Sequence, residues 1–216
     1  MTSMNNGRGV IFDLDGVLVD ATEWHYEALN RALHVFGFII NRQEHISFYN
    51  GLPTRKKLEV LSKEKGFPLA LKEFVNSLKQ VYTRQEILRN CTPHFEKQFM
   101  LAKFRKDGLR QIVCSNAVRD SVDLMLRQSG LLEYLEFFIG NDEVQKPKPD
   151  PQMYTIAMEK LGLKPEEVVI VEDSPHGIEA ARASGAHVCV VSGFREVRYE
   201  RLKSFIDSIG KEEAGE

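Results

Sequence analysis

A chain of 216 residues has room for one large core and a small accessory domain. At 43% hydrophobic and 28% charged residues it has ordinary globular composition, which excludes a disordered or fibrous chain. A formal net charge of -2 makes no broad electrostatic case for nucleic acid or an anionic membrane, so an anionic ligand would need local positive charge or a metal.

Met1 to Arg8 is polar and lacks the apolar stretch of a signal peptide. No run approaches the ~18 apolar residues of a membrane span. A cytoplasmic setting without membrane or nucleic-acid partners is the expectation. The three cysteines, Cys91, Cys114 and Cys189, have no metal-ligand spacing and argue against a disulfide framework or a zinc site.

The first strand is predicted over Gly9–Leu14 and ends Phe12-Asp13-Leu14-Asp15-Gly16. Two carboxylates at i and i+2 leave an apolar strand on the same side. Turn geometry alone accounts for Asp and Gly. Two buried like charges are costly, however, unless a cation or a shared proton compensates. Asp13 and Asp15 are therefore candidates for metal or acid–base chemistry.

Helical periodicity follows over Thr22–Phe36, Thr54–Lys65 and Leu69–Leu88, with Asp20 to Glu23 as a capping box for the first helix. A single crossover would need far less chain. The excess predicts an inserted helical domain over residues 21–89, flanked by a core of residues 1–20 and 90–216. Pro93 marks the return to the core.

The second strand, Gln111–Ser115, ends in Ser115-Asn116, which could bond phosphate oxygens or cap the helix Asp120–Gln128. After the third strand, Phe137–Gly140, comes Gln145-Lys146-Pro147-Lys148-Pro149-Asp150-Pro151. Asp150 and Pro151 suit a helix start. Lys146, held extended by Pro147, could place a fixed positive charge near an anionic centre. The fourth strand, Val168–Glu172, closes a continuous apolar run with Glu172-Asp173-Ser174, and the fifth is His187–Val191. Strands alternating with helical stretches predict a parallel α/β sheet, whose ligands bind at the carboxyl ends of its strands. Four such ends carry Asp/Asp, Ser/Asn, Lys and Glu/Asp.

The ordered set Asp13-Leu14-Asp15-Gly16, Ser115-Asn116, Lys146-Pro147-Lys148-Pro149-Asp150 and Glu172-Asp173-Ser174-Pro175-His176-Gly177 resembles the haloacid dehalogenase superfamily. The helical insert is similar to the cap of its β-phosphoglucomutase-like branch. Ala21 and His94 depart from residues common in similar sequences, but neither touches the four motifs.

The resemblance implies a Rossmannoid parallel sheet of order 3-2-1-4-5 with an α-helical cap closing over the site. It implies that Asp13 is the nucleophile, forming an aspartyl-phosphate. Asp15 is implied as general acid and base, and its pKa should then be raised by its acidic neighbours. Mg²⁺ would be held by the carboxylates of Asp13 and Asp173 and the backbone carbonyl of Asp15, with Glu172 binding directly or through water. Ser115, Asn116 and Lys146 would hold the phosphoryl oxygens, and the motif spacing favours Lys146 over a solvated Lys148. In the cap, His25 and Arg55 stand where mutase-like relatives contact substrate.

The expectation is a Mg²⁺-dependent phosphatase of a small phosphorylated metabolite, such as a sugar phosphate, acting as a monomer. A sugar phosphomutase shares every core motif. A non-enzymatic phospho-aspartate switch is the third reading, and the long cap and Asp15 argue against it.

Overall fold

Five short apolar segments form one parallel sheet of order β3-β2-β1-β4-β5. They are β1 (Gly9–Phe12), β2 (Arg110–Cys114), β3 (Phe137–Ile139), β4 (Val168–Glu172) and β5 (His187–Val190). The structure is a computed structural model and describes residues 8–214, with side chains through Ile209. In the central register Phe12 sits between Val113 and Val171. Strands buried on both faces need apolar side chains at every position. All of β1 and β4 is buried accordingly.

Helices α1 (Thr22–His34), α2 (Arg42–Glu44), α3 (Thr54–Lys65), α4 (Lys72–Asn90) and α5 (Phe95–Lys106) lie between β1 and β2. Helices α1, α3 and α4, with the turn His45–Tyr49 that follows α2, gather buried residues of their own, including Leu29, Leu33, Tyr49, Leu58, Leu61 and Val75. Two other buried clusters cover the faces of the sheet. The last turn of α4 leaves the helical cluster, because Ile87 packs into the core cluster with Met100 and Val113. Helices α6 (Arg119–Gln128), α7 (Gln152–Leu161), α8 (Pro175–Ala183) and α9 (Tyr199–Ala214) complete the layers. Among the described residues, no helix is long and apolar enough to cross a membrane. All three cysteines are free and buried.

The strand and helix expectations hold to within a few residues, but the caps differ. No capping box opens α1. Its N-cap is Ala21, and no side chain caps it. The chain turns straight from the first strand's loop into the helix, with Ala21 N–H donating to Val19 O, which leaves Asp20 one position too early. The capping box is instead Asn41 with Glu44, at α2. Neither Ser115 nor Asn116 caps α6, whose N-cap is Val118 without a side-chain bond. Asp150 does serve a helix start, accepting from Gln152 N–H at 3.0 Å.

Candidate active site

The carboxyl ends of β1, β2 and β4 meet beneath α1, α3 and α4 at a cavity of about 460 Å³. Asp13 and Asp15 leave β1 into a tight loop. Gly16 is needed there for two reasons. Its φ is +85°, and a Cβ would stand 2.2 Å from Asp173 Oδ2. That close approach brings Asp173, at the end of β4, against the loop of β1.

The lysine at this centre is Lys148. Its ammonium donates to Asp13 Oδ1 at 2.7 Å, Glu172 Oε1 at 2.6 Å and Cys114 O at 2.9 Å. The side chain is 2% exposed. Burial works against its charge, but Asp13 and Glu172 outweigh it and hold the ammonium protonated, above the ordinary lysine range. The expectation for Lys146 is corrected accordingly. Its side chain is 71% exposed and reaches only Asp150, at 3.9 Å. A Lys-Pro-x-Pro pattern fits both lysines, and the chain turns Lys148, two residues nearer α7, toward the strand ends.

Glu172 is fully buried and takes five hydrogen bonds. Oε1 accepts from Lys148 and from Tyr154 Oη at 2.7 Å. Oε2 accepts from Asp173 N–H, Ser174 N–H and Ser174 Oγ. Gly177 makes room for it, because a Cβ there would lie 1.9 Å from Oε1. Both Glu172 oxygens are thus engaged by the protein, which disfavours the direct metal contact allowed for above.

Asp173 is the opposite case. Its Oδ1 is buried without a hydrogen-bond partner. Its carboxyl is pushed up to about 7 by burial, then by Glu172 and Asp15. Asp13 is raised well above the usual carboxylate range by burial and by Glu172, against the pull of Lys148. Asp13, Glu172 and Asp173 can offer oxygens within 4.8 Å of one another. A crowded set of acids and an orphaned hard oxygen fit a divalent cation such as Mg²⁺.

Asp15 departs from its expected protonation. Its Oδ1 meets His25 Nε2 at 2.8 Å and its Oδ2 accepts from Ser115 Oγ at 3.0 Å. Burial raises its pKa, but His25, Ser115 and Lys79 together lower it, the first two through their hydrogen bonds and Lys79 by charge. Lys79 Nζ lies 3.0 Å from His25 Nδ1. An ammonium can only donate there, which makes Nδ1 the acceptor and puts the imidazole proton on Nε2, toward Asp15. Burial and Lys79 lower the His25 pKa in agreement. In this arrangement Asp15 is ionised and His25 is neutral.

The remaining expected residues take different places. Ser115 is fully buried and its hydroxyl is directed at Asp15, while its Oγ also accepts from Ala117 N–H at 3.0 Å. The Asn116 side chain is not available to phosphate. Its Nδ2 donates to Gly51 O and Lys148 O, and its Oδ1 accepts from Lys148 N–H. It ties the lysine loop of the core to the loop before α3. Arg55 lines the rim of the cavity, but its guanidinium is paired with Glu73 at 2.8 Å. His25 does stand at the site, through Asp15.

Sequence reasoning set Lys148 aside as solvated, and it missed Tyr154, Lys57 and Lys79. Lys57 was hidden in the run Arg55-Lys56-Lys57. It occupies the buried stripe Thr54, Lys57, Leu58, Leu61, and Lys79 occupies the stripe Val75, Asn76, Lys79, Thr83. A charged residue in phase with a buried stripe was the available signal.

The family model for haloacid dehalogenase-like hydrolases matches residues 10–191. The phosphorylated carbohydrates phosphatase of Thermotoga maritima is 30% identical over 82% of this chain and 82% of its own. The phosphoglycolate phosphatase of Salmonella paratyphi A is 29% identical over 86% of this chain and 81% of its own. Among solved structures, CbbY of Rhodobacter sphaeroides in complex with phosphate superposes with a TM-score of 0.76 at 22% identity, covering 87% of each chain. The β-phosphoglucomutase of Clostridium difficile superposes with a TM-score of 0.77 at 20% identity, covering 91% of this chain and 96% of its own. The structural likenesses establish the shared fold. The match along most of the chain, and the strand-end residues it spans, make this chain a member of the haloacid dehalogenase-like hydrolase family.

Proposed function

We propose that this hydrolase cleaves a small phosphomonoester, a phosphorylated carbohydrate or a related metabolite, with Asp13 as covalent nucleophile. The observation that carries the reading is the meeting of Asp13, Asp15, Lys148 and Asp173 where the strand ends open onto one cavity. The two phosphatases similar to this chain support the substrate class.

In this reading Asp13 attacks phosphorus and the P–O bond to the leaving group breaks. Lys148 orients Asp13 and lends positive charge to the transferring phosphoryl group. Asp15 protonates the leaving alkoxide, then takes a proton from the water that cleaves the aspartyl-phosphate. Since it rests ionised, it takes up a proton on ester binding, and the like charge of a phosphoryl dianion favours that form. His25 and Ser115 hold its two oxygens in place. Asp13, Asp173 and the Asp15 carbonyl would hold Mg²⁺, which supplies charge neutralisation for the phosphoryl oxygens. Glu172 positions Lys148. Residues 21–89 act as a cap, linked to the core by the bond from Asn116 to Gly51.

The test is phosphate release from a panel of phosphorylated metabolites with Mg²⁺, using Asp13→Asn as the blank. Release by wild type and not by the variant is expected. Release that Asp13→Asn retains would refute the nucleophile. Isomerisation of a sugar phosphate without phosphate release would replace hydrolysis by mutase action.

A further inference from the structure

The phosphoryl end of the cavity uses Asp13, Lys148 and the acids around them. The opposite, helical wall carries a second feature that this chemistry leaves unused. Lys57 of α3 and Lys79 of α4 both line the cavity, and each is 6% exposed. Lysine is almost never buried to that degree unless paired. Lys79 has His25 as its partner. The Lys57 ammonium has no hydrogen bond or ion pair among the described residues, although its neighbours Lys56 and Arg55 both pair with acids.

The charges on this wall do not balance. When protonated, Lys57 and Lys79 carry two positive charges, and the Lys79 ammonium is directed at His25 Nδ1. Among the described residues the one acid facing both is Asp15, whose oxygens are already held by His25 and Ser115. One buried positive charge is left over. Burial and Lys79 push the Lys57 ammonium down to about 7, and burial pushes Lys79 down to about 8. A desolvated cation is costly to keep unless something arrives to pair with it. No group among the described residues does, and what can arrive comes through the cavity. Its size suits a small metabolite.

We propose that Lys57, with Lys79 beside it, forms an anion-binding subsite on the helical wall of the cavity, so that the ester held at Asp13 carries a second anionic group, a carboxylate or a second phosphate. The inference rests on the phosphoryl-transfer reading of Asp13 and narrows its substrate class. An ester with a neutral tail leaves the ammonium unpaired, whereas a tail ending in an anion pairs with it.

The test uses binding, so that it stands apart from turnover. The purified protein with saturating Mg²⁺ is titrated calorimetrically with methylphosphonate and with two-headed phosphonates of increasing length. One series ends in a carboxylate, from phosphonoacetate to phosphonobutyrate, and the other in a second phosphonate. We expect at least one two-headed ligand to bind about tenfold or more tightly than methylphosphonate, and the better series identifies the second anion. In Lys57→Met that ratio falls to near one, and in Lys57→Arg most of it returns. No two-headed ligand binding better than methylphosphonate would overturn the subsite, as would a ratio that Lys57→Met leaves intact. Failure of wild type to release phosphate from p-nitrophenyl phosphate, measured separately, would count against the phosphatase reading and leave the binding result standing.

Discussion

Replacing Lys57 by methionine should stabilise the ligand-free protein. Methionine keeps the length of the buried stem and removes the charge. The ammonium is displaced from its ordinary value of 10.5 to about 7, by burial first and then by Lys79, with Asp15 opposing. His25 and His45 also face it, and their pKa values are lowered too, so near neutral pH they stay uncharged and neither offset nor add to its charge. At about 1.4 kcal/mol per pH unit, the displacement sets a ceiling of about 5 kcal/mol. Cavity water reaching the ammonium reduces this to roughly 2–3 kcal/mol. For a chain of this size that is a rise of roughly 5–10 °C in Tm near neutral pH. The sign over pH follows from proton counts. Between about pH 7 and 10.5 the unfolded chain holds a proton on Lys57 that the folded chain has released. Wild-type stability therefore gains from this residue as pH rises through that window, and the full penalty is present below it. Thermal melts of chelator-treated wild type and Lys57→Met, from pH 6 to pH 10, measure both the offset and the slope. A variant that melts at or below wild type at neutral pH, with an unchanged slope, would refute the unpaired-cation argument.

Other outcomes follow from single contacts. Lys148→Ala should lower the kcat of phosphate release by on the order of 10²–10³-fold, whereas Lys146→Ala, a change at an exposed side chain, should stay within about twofold. Steady-state assays on both variants check this. Gly177→Ala should lower Tm by roughly 2–10 °C, because its Cβ would overlap the Glu172 carboxylate, and overpacking of this kind costs about 1–3 kcal/mol. Arg55→Ala should leave Tm within about 2 °C of wild type, since its pairing with Glu73 is more than half exposed on both sides.

The sheet was legible because its signal is local and repeated. Val168 to Val171 reads as a strand buried on both faces, and the parallel order sets it beside the first strand, where Val171 pairs with Phe12. The acids were legible for a related reason: Asp13, Asp15, Glu172 and Asp173 interrupt apolar runs where an interruption is expensive. The lysine was not, because Lys146-Pro147-Lys148-Pro149-Asp150-Pro151 reads as Lys-Pro-x-Pro in two registers. The deciding fact is a long-range one. Lys148 shares Glu172 with Tyr154, and only that register brings the lysine and the helix carrying Tyr154 onto the same carboxylate. The ionisation of Asp15 was hidden similarly. Nearby in sequence it has acids, and nearby in space it also has His25, Ser115 and Lys79. Lys57 was concealed by its neighbours, since a run of three basic residues on a helix looks solvated until its phase against Leu58 and Leu61 is counted.

The metal expectation can be put on the same footing, from charge rather than from kinship. At the strand ends Asp13, Glu172 and Asp173 face a single cation among the described residues, Lys148. Three negative charges against one positive leave two uncompensated when all three acids are ionised. Glu172 is fully satisfied by hydrogen bonds and Asp13 partly so, but Asp173 Oδ1 has nothing. A divalent cation supplies the missing charge and the missing partner together. Magnesium should therefore stabilise the protein without any substrate. At a concentration one hundred times its Kd the gain is about 2.7 kcal/mol, or roughly 5–10 °C in Tm. Asp173→Asn removes one of the two uncompensated charges and should erase most of that shift. It should also raise the Tm of the chelated protein, because a carboxylate with a buried, unpartnered oxygen is gone. An Asp173→Asn protein that kept the full magnesium shift would place the cation elsewhere. A wild type whose Tm did not move in millimolar magnesium would mean that the three acids share protons instead of a metal.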